Sequence, residues 1–72
     1  MYFVDVDKLN QKIIEHATTK EAIADEIGIG IEIFNRRLKS GKFLIGEIHK
    51  ICAVLQLSPS EAKEIFLTNN FA

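Results

Sequence analysis

Two short stretches of helical apolar spacing meet at a glycine between residues 19 and 38, and they constrain this chain more than any other feature. Ile23, Ala24 and Ile27 put one apolar stripe on a first helix, and the small Ala24 side chain lets a second helix cross close above it. Gly28 then supplies a residue that tolerates a positive φ at low cost. The segment is therefore predicted to form two helices joined by a tight turn.

The second helix of this unit is predicted to begin near Gly30 and to pack through Phe34, because Ile31, Phe34 and Leu38 share one helical face. Two short helices around a glycine turn are typical of a DNA-binding helix-turn-helix. The opposite face of the second helix is left to solvent or to a ligand. It carries Glu32, Asn35, Arg36 and Lys39.

Chain length and composition predict one small folded domain over residues 1–72. A chain of 72 residues buries roughly 60 % of its unfolded surface, and a hydrophobic content of 47 % is typical of globular proteins. The single cysteine, Cys52, excludes an internal disulfide, and its spacing from Ile48, Ile51 and Leu55 favours a reduced core thiol. No apolar run approaches the about 18 residues that span a bilayer, and no signal-type segment opens the chain. A cytoplasmic location and no membrane partner are expected.

The N-terminal segment is predicted to be an arm followed by a first helix. Residues 1–6 are apolar and partly alternating, which fits either an extended arm or a strand. Asp7 is predicted to cap a helix that runs to about His16. The core face of that helix is expected to carry Leu9, Ile13 and Ala17.

Capping signals indicate where the next helices begin. Thr18 has the capping-box spacing to Glu21, whereas Thr19 suits the register of the following turn better, so either residue can open the second helix. Residues 39–44 are predicted to form a loop. A fourth helix is predicted from Glu47 to Leu55, with Ile48, Ile51, Cys52 and Leu55 on one face.

The clearest start signal is the run Ser58-Pro59-Ser60-Glu61, with serine at the N-cap, proline at N1 and glutamate at N3. A fifth helix is predicted from Pro59 to about Leu67, and residues 68–72 are left as a C-terminal tail. The inward side chains of this helix are expected to be Ala62, Ile65 and Phe66.

Five helices with a helix-turn-helix at the second and third resemble the lambda-repressor and Cro type of phage regulator. The resemblance covers roughly residues 8–67. It rests on Ile23-Ala24, the Gly28-Ile29-Gly30 turn, Phe34 and the exit from Leu38 to Gly41, followed by two further core helices. It implies an all-α, five-helix lambda-repressor-like domain. Very short members of this group are often encoded beside a phage repressor, as Cro-like proteins or modulators of repression, and this chain looks like one of those.

Three features depart from the pattern of that family. Lys20 opens the second helix, where the family often has a glutamine that braces a phosphate and a base-contacting side chain; a lysine keeps only the phosphate contact. Arg37 occupies a usually aliphatic position, and its stem is expected to pack while its head group points outward. Ile31, Glu32 and Ile33 begin the recognition helix, and such an acidic and apolar tip is poorly suited to a phosphate-lined groove.

Charge is distributed unevenly, although the net charge is only −1. Residues 1–32 hold three lysines and seven acids, a net charge of −4, whereas residues 33–72 hold six basic and three acidic residues, a net charge of +3. A basic patch without acids is formed by Arg36, Arg37, Lys39 and Lys42. This patch is either a solvated surface or a set of phosphate contacts whose affinity falls with salt.

Asn35 and Arg36 are the best candidates for contacts with base edges, because asparagine pairs with adenine and arginine with guanine through two hydrogen bonds each. Ile31 is a candidate for contact with a thymine methyl group, with the core or with a protein partner.

Two functions from different classes remain. In the first, the chain forms a homodimer through the fifth helix and the tail, and it places two recognition helices in successive major-groove turns of operator DNA as a Cro-like transcriptional regulator. In the second, it uses exposed Ile31, Ile33 and nearby charges to dock on the DNA-binding face of a phage repressor, as a modulator or antirepressor. The candidate DNA- or partner-binding residues are Lys20, Ile31, Glu32, Ile33, Asn35, Arg36, Lys39 and Lys42.

Enzymatic chemistry lacks a matching set of residues in the sequence. His16 and His49 lie on different predicted helices, with no cysteine or carboxylate at the spacing of metal ligands. The Gly28-Ile29-Gly30 turn lacks the strand-to-helix setting of a phosphate-binding loop. No catalytic residue, metal ligand or cofactor is predicted.

Overall fold

Five α-helices make up most of the described chain. The computed structural model describes residues 2–66 and 68–69. The helices are α1 (Val6–Glu15), α2 (Lys20–Ile27), α3 (Ile31–Ser40), α4 (Ile45–Leu55) and α5 (Pro59–Phe66). Two short strands, β1 (Tyr2–Phe3) and β2 (Thr68–Asn69), pair antiparallel, with Tyr2 opposite Asn69 and Phe3 opposite Thr68. The described residues are thus compatible with the all-α class, with one strand pair added near the ends.

The predicted arm and tail meet in that strand pair. Residues 2–3 of the arm are a strand rather than an unpaired extension, and residues 68–69 of the tail are their partner. Residue 1, the predicted helix end at 67 and the tail residues 70–72 lie outside the described residues. Within the described ranges, no helix has the length and apolar character needed to cross a bilayer.

The first helix begins earlier than predicted, because Asp5 and not Asp7 is its N-cap. The Asp5 carboxylate accepts a hydrogen bond from the backbone N–H of Lys8 at 3.1 Å. Asp7 lies inside the first turn, where the helix dipole stabilises a negative charge. The predicted core face of this helix is also one residue too long, since Ala17 is exposed and lies beyond the helix with a φ of 51°.

Side-chain caps confirm the predicted starts of α2 and α5. The hydroxyl of Thr19 accepts a hydrogen bond from Ala22 N at 3.1 Å, which decides the start of α2 in favour of Thr19 over Thr18. At α5, Glu61 N donates to Ser58 Oγ at 3.1 Å while Ser58 N donates to Glu61 Oε1 at 2.9 Å. The predicted capping box therefore forms.

The fourth helix begins at Ile45, two residues before the predicted start at Glu47. Its N-cap residue, Leu44, has no side-chain acceptor, and the carboxylate of Glu47 accepts a hydrogen bond from Leu44 N at 2.9 Å. The predicted loop over 39–44 is shorter as well, because α3 continues through Ser40 and ends at Gly41, which has a φ of 73°.

All five helices contribute to one core. α2 packs against both α3 and α4, and α1 packs against α5. The loop residue Phe43 places its ring edge-on to Phe34 at 5.6 Å and to Phe66 at 5.7 Å between ring centroids. Cys52 is half-buried beside this core, and burial raises the pKa of its thiol. The buried apolar side chains are Leu9, Ile13, Ile23, Ala24, Ile27, Phe34, Leu38, Ile51, Leu55, Ile65 and Phe66.

Ion pairs on the surface join α1 to α5. Lys8 Nζ lies 2.9 Å from Glu64 Oε2, and Lys12 pairs with Glu61. The hydrogen bond from Lys12, followed by the one from the Ser58 backbone, lowers the pKa of Glu61 to about 2. The hydrogen bond to Glu61 in turn raises the pKa of Lys12. The acids of α5 are therefore engaged with α1, on the side away from α4.

Candidate functional site

The turn between α2 and α3 has the geometry that the glycine pattern predicts. Gly28 adopts the left-handed conformation, with φ 84° and ψ 25°, and Ile29 N donates to Ala24 O at 2.9 Å across the end of α2. Gly30 returns to an extended conformation and is the N-cap of α3, which agrees with the predicted helix start near Gly30. Ile29, in the middle of the turn, also packs against the core. The turn is therefore anchored between the buried faces of α2 and α3.

The orientation of α3 is set by two buried residues. Phe34 is fully buried and Leu38 nearly so. A rotation of about 100° per residue then directs the side chains on the opposite side of the helix away from the core. Those that are exposed include Glu32, Asn35, Arg36 and Lys39, which we call the outer face of α3. The predicted division of this helix into a core face and an exposed face is confirmed.

The two isoleucines at the start of α3 have different environments. Ile31, which the sequence left as a ligand contact or a core contact, is half-buried and packs against the core. It is not an exposed docking residue, which corrects the second functional hypothesis at this position. Ile33 is 41 % exposed and is the apolar side chain that this turn presents to solvent.

Glu32 has a structural reason to be at the tip of α3. Gly30 offers no side-chain cap, so the first backbone N–H groups of the helix lack that partner. A carboxylate in the first turn is stabilised by the positive end of the helix dipole. Within the described residues Glu32 makes no ion pair, and its charge therefore remains available to a ligand.

Arg37 does not belong to the exposed basic patch, contrary to the prediction that its head group points outward. Its Nη2 donates to Glu47 Oε2 at 3.2 Å, and its Nε lies 3.1 Å from Glu47 Oε1. The two side chains are 30 % and 10 % exposed. The patch is thereby reduced to Arg36, Lys39 and Lys42, which are exposed and make no ion pair within the described part of the chain.

The loop after α3 holds Lys42 on a fixed backbone. Lys42 N donates to Ser40 Oγ at 3.2 Å, the next residue is Phe43 between two aromatic rings, and Leu44 N donates to Glu47. The remaining predicted cation, Lys20, is half-buried at the first position of α2. The structure thus brings four of the predicted site residues onto the outer face of α3 and adds Lys42 just beyond its end.

Glu47 and Phe43 are the structural residues of this region that the sequence analysis missed. A glutamate three residues after a possible helix start is a capping-box signal, but Leu44 in the N-cap position concealed it. The contacts of Phe43 connect α3 with α5, and no local pattern reports a contact of that kind.

A second exposed surface lies between α4 and α5. It is an apolar cleft of about 230 Å³ lined by Ile45, Ile48, His49, Pro59, Ala62, Lys63 and Phe66. Ile45 is 72 % exposed and the neighbouring Leu44 is 59 % exposed, so apolar surface continues beyond the cleft.

No family model, curated protein sequence or solved structure matches the chain. The described residues contain no cluster of three or more side chains suited to holding a metal ion.

Proposed function

We propose that the chain is a lambda-repressor-like helix-turn-helix protein that regulates transcription at a phage lysogenic/lytic switch by binding operator DNA through α3, as Cro does. The observation that carries the proposal is the orientation of α3. Burial of Phe34 turns Asn35 and Arg36 outward, and an amide and a guanidinium on one exposed face can pair with adenine and guanine edges in a major groove.

Phosphate contacts in this proposal come from lysines around the recognition helix. Lys39 and Lys42 flank the end of α3, and Lys20 opens α2. Three neutralised phosphates predict a slope of log K against log salt of about −2.7 for each protomer. Because Arg37 is paired with Glu47, a slope much steeper than this is not expected.

The experiment is a gel-shift titration with operator candidates from the DNA that flanks the gene. Asn35→Ala and Arg36→Ala should each cost about 1–3 kcal/mol of sequence-specific binding. Lys50→Ala is the matched control, since it removes an exposed cation from α4, outside the residues that line the cleft, and leaves α3 intact. Unchanged operator affinity in both α3 variants would rule out this mode of recognition.

The tip of α3 favours a second candidate function, the modulator or antirepressor. Glu32 is an exposed acid without an ion pair in the described chain, and Ile33 beside it is exposed. An acidic and apolar tip complements the basic DNA-binding face of a repressor better than it complements phosphates. In this alternative the chain binds the repressor protein encoded next to it and blocks or alters its operator binding.

A pull-down and a gel shift with the repressor encoded next to the chain distinguish the two candidate functions. Ile33→Asp should abolish capture of that repressor while the helical circular-dichroism spectrum stays intact, and capture that survives the change excludes the tip as the docking surface. Ile31→Asp is a weaker test than the sequence suggested, because Ile31 packs against the core. DNA binding by the chain alone supports the Cro-like function, whereas removal of the repressor from its DNA supports the modulator.

The first candidate also includes a homodimer, which a pseudo-palindromic operator requires. Residues 68–69 of the tail are paired with β1 of the same chain, so α5 and the adjoining cleft are the surface assigned to this contact. Sedimentation equilibrium of the wild type and of Ala62→Glu tests it. A loss of dimer in the variant is expected, and a monomeric wild type both free and on DNA would contradict it.

A further inference from the structure

Glu47 is the most deeply buried charged residue among those that the structure describes, and its side chain is 10 % exposed. Its carboxylate contacts two neighbouring segments, and Oε1 also lies 3.1 Å from Arg37 Nε. Oε1 accepts the hydrogen bond from Leu44 N at 2.9 Å, and Oε2 accepts the one from Arg37 Nη2 at 3.2 Å. One carboxylate therefore connects the recognition helix, the loop behind it and the start of α4.

We propose that Glu47 is a positioning residue that limits the charge α3 offers to nucleic-acid phosphates, by neutralising Arg37 and fixing the backbone next to Lys42. The inference rests on the proposed DNA binding and deepens it. It assigns to an α4 residue, outside the helix-turn-helix, control over how strongly the protein holds DNA of any sequence.

The ion pair with Glu47 keeps the charge of Arg37 out of the exposed basic patch of Arg36, Lys39 and Lys42. Arg36 precedes Arg37 directly and Lys39 lies two residues beyond it, so a guanidinium released from its carboxylate adds to the positive charge that the end of α3 presents. An unpaired charge at a half-buried position is also costly, and the long arginine stem lets the head group move out to water. Removal of the negative charge at position 47 therefore adds one available cation beside the phosphate contacts.

The same carboxylate has a backbone role that can be separated from its charge. Glutamine at position 47 has nearly the same shape and keeps an oxygen for Leu44 N, so Glu47→Gln removes the charge and retains the acceptor. Methionine at position 37 similarly keeps an unbranched apolar stem without the guanidinium. Variants of these two residues thus change charge with little change of volume.

The experiment measures binding of a fluorescent mixed-sequence DNA duplex by anisotropy over a range of salt concentrations. Glu47→Gln should steepen the slope of log K against log salt by about 0.9, which corresponds to about eightfold tighter binding at 0.1 M salt if the added contact vanishes at 1 M. Glu64→Gln is the matched control: it changes net charge equally and loses the pair with Lys8, but on the α1–α5 side, and should leave the slope unchanged. Adding Arg37→Met to Glu47→Gln should remove the gain.

A purely structural role for Glu47 would change the unfolding midpoint and not the salt slope, so each variant is also unfolded in urea. A wild type that binds the duplex and a Glu47→Gln slope equal to that of Glu64→Gln would overturn this inference alone. No binding by the wild type or by Glu47→Gln would overturn the proposed DNA binding and this inference with it. If Glu47→Gln does not fold, Arg37→Met/Glu47→Gln must bind more tightly than Arg37→Met, and equal affinities would contradict the proposal.

Discussion

Replacement of Phe34 by alanine should destabilise the protein far more than the same replacement at its neighbour Ile33. Phe34 is fully buried, and its ring meets that of Phe43 at 5.6 Å and 67°. Removal of a buried phenylalanine side chain costs about 3–5 kcal/mol, of which about 0.5–1.5 kcal/mol is attributable to the aromatic pair. A domain of 72 residues has a free energy of unfolding of about 4–11 kcal/mol. Phe34→Ala should therefore remove at least about a quarter of the stability.

The assay is urea unfolding followed by helical circular dichroism, with the midpoint compared at constant slope. Ile33→Ala is the control on the adjacent position, and with 41 % of Ile33 exposed its cost should stay within about 1 kcal/mol. If Phe34→Ala is unfolded in water, Phe34→Leu keeps most of the apolar volume and should show a smaller, measurable loss. A loss below about 1 kcal/mol for Phe34→Ala, or one equal to that of Ile33→Ala, would refute the assigned orientation of α3.

Three further predictions concern the turn, the α1–α5 contact and the thiol. Gly28→Ala should cost about 1–2 kcal/mol in thermal unfolding, because Gly28 has a φ of 84°. Gly46 lies inside α4 with open space around an added methyl group, so Gly46→Ala should stabilise the protein by up to about 1 kcal/mol. Equal effects of the two substitutions would contradict the turn geometry. The pKa of Glu61 falls from 4.5 to about 2 on account of Lys12 and the Ser58 backbone, so its stabilisation is complete above pH 4.5 and is lost toward pH 2. Glu61→Gln should remove that part of the acid dependence of urea unfolding, and an unchanged profile would contradict the ion pair. Because burial raises the pKa of the Cys52 thiol, native protein should react with a thiol reagent more slowly than protein in urea, and equal rates would place Cys52 on an open surface.

Local chemical signals were sufficient for α2, the turn after it, α3 and α5. A threonine N-cap, a glycine in the left-handed conformation and the Ser58-Pro59 start each act within a few residues, and the structure has all three. The spacing of buried residues on α2 and α3 followed from helical periodicity alone, because one face of each helix packs inward.

The wrong predictions had two causes: neighbouring residues that suit the same role, and contacts between residues far apart in the sequence. Asp5 and Asp7 both suit a cap, and only the approach of the chain to α5, through the hydrogen bond of Asp5 N to Ile65 O at 2.7 Å, favours the earlier one. The Arg37–Glu47 pair and the pairing of β1 with β2 join residues that no periodic pattern connects. For the candidate site, the sequence predicted the exposed side chains of α3 but overestimated its charge by one cation.

The central claim, that the outer face of α3 is the surface that meets the ligand, is tested most directly by nuclear magnetic resonance of isotope-labelled protein titrated with duplex DNA at low salt. Non-specific binding is driven by phosphate contacts, so no operator sequence is needed. We expect the largest shifts at the amides of α3 and at Lys42, and smaller shifts in the cleft between α4 and α5. Shifts confined to that cleft, or none up to saturating DNA, would contradict the account.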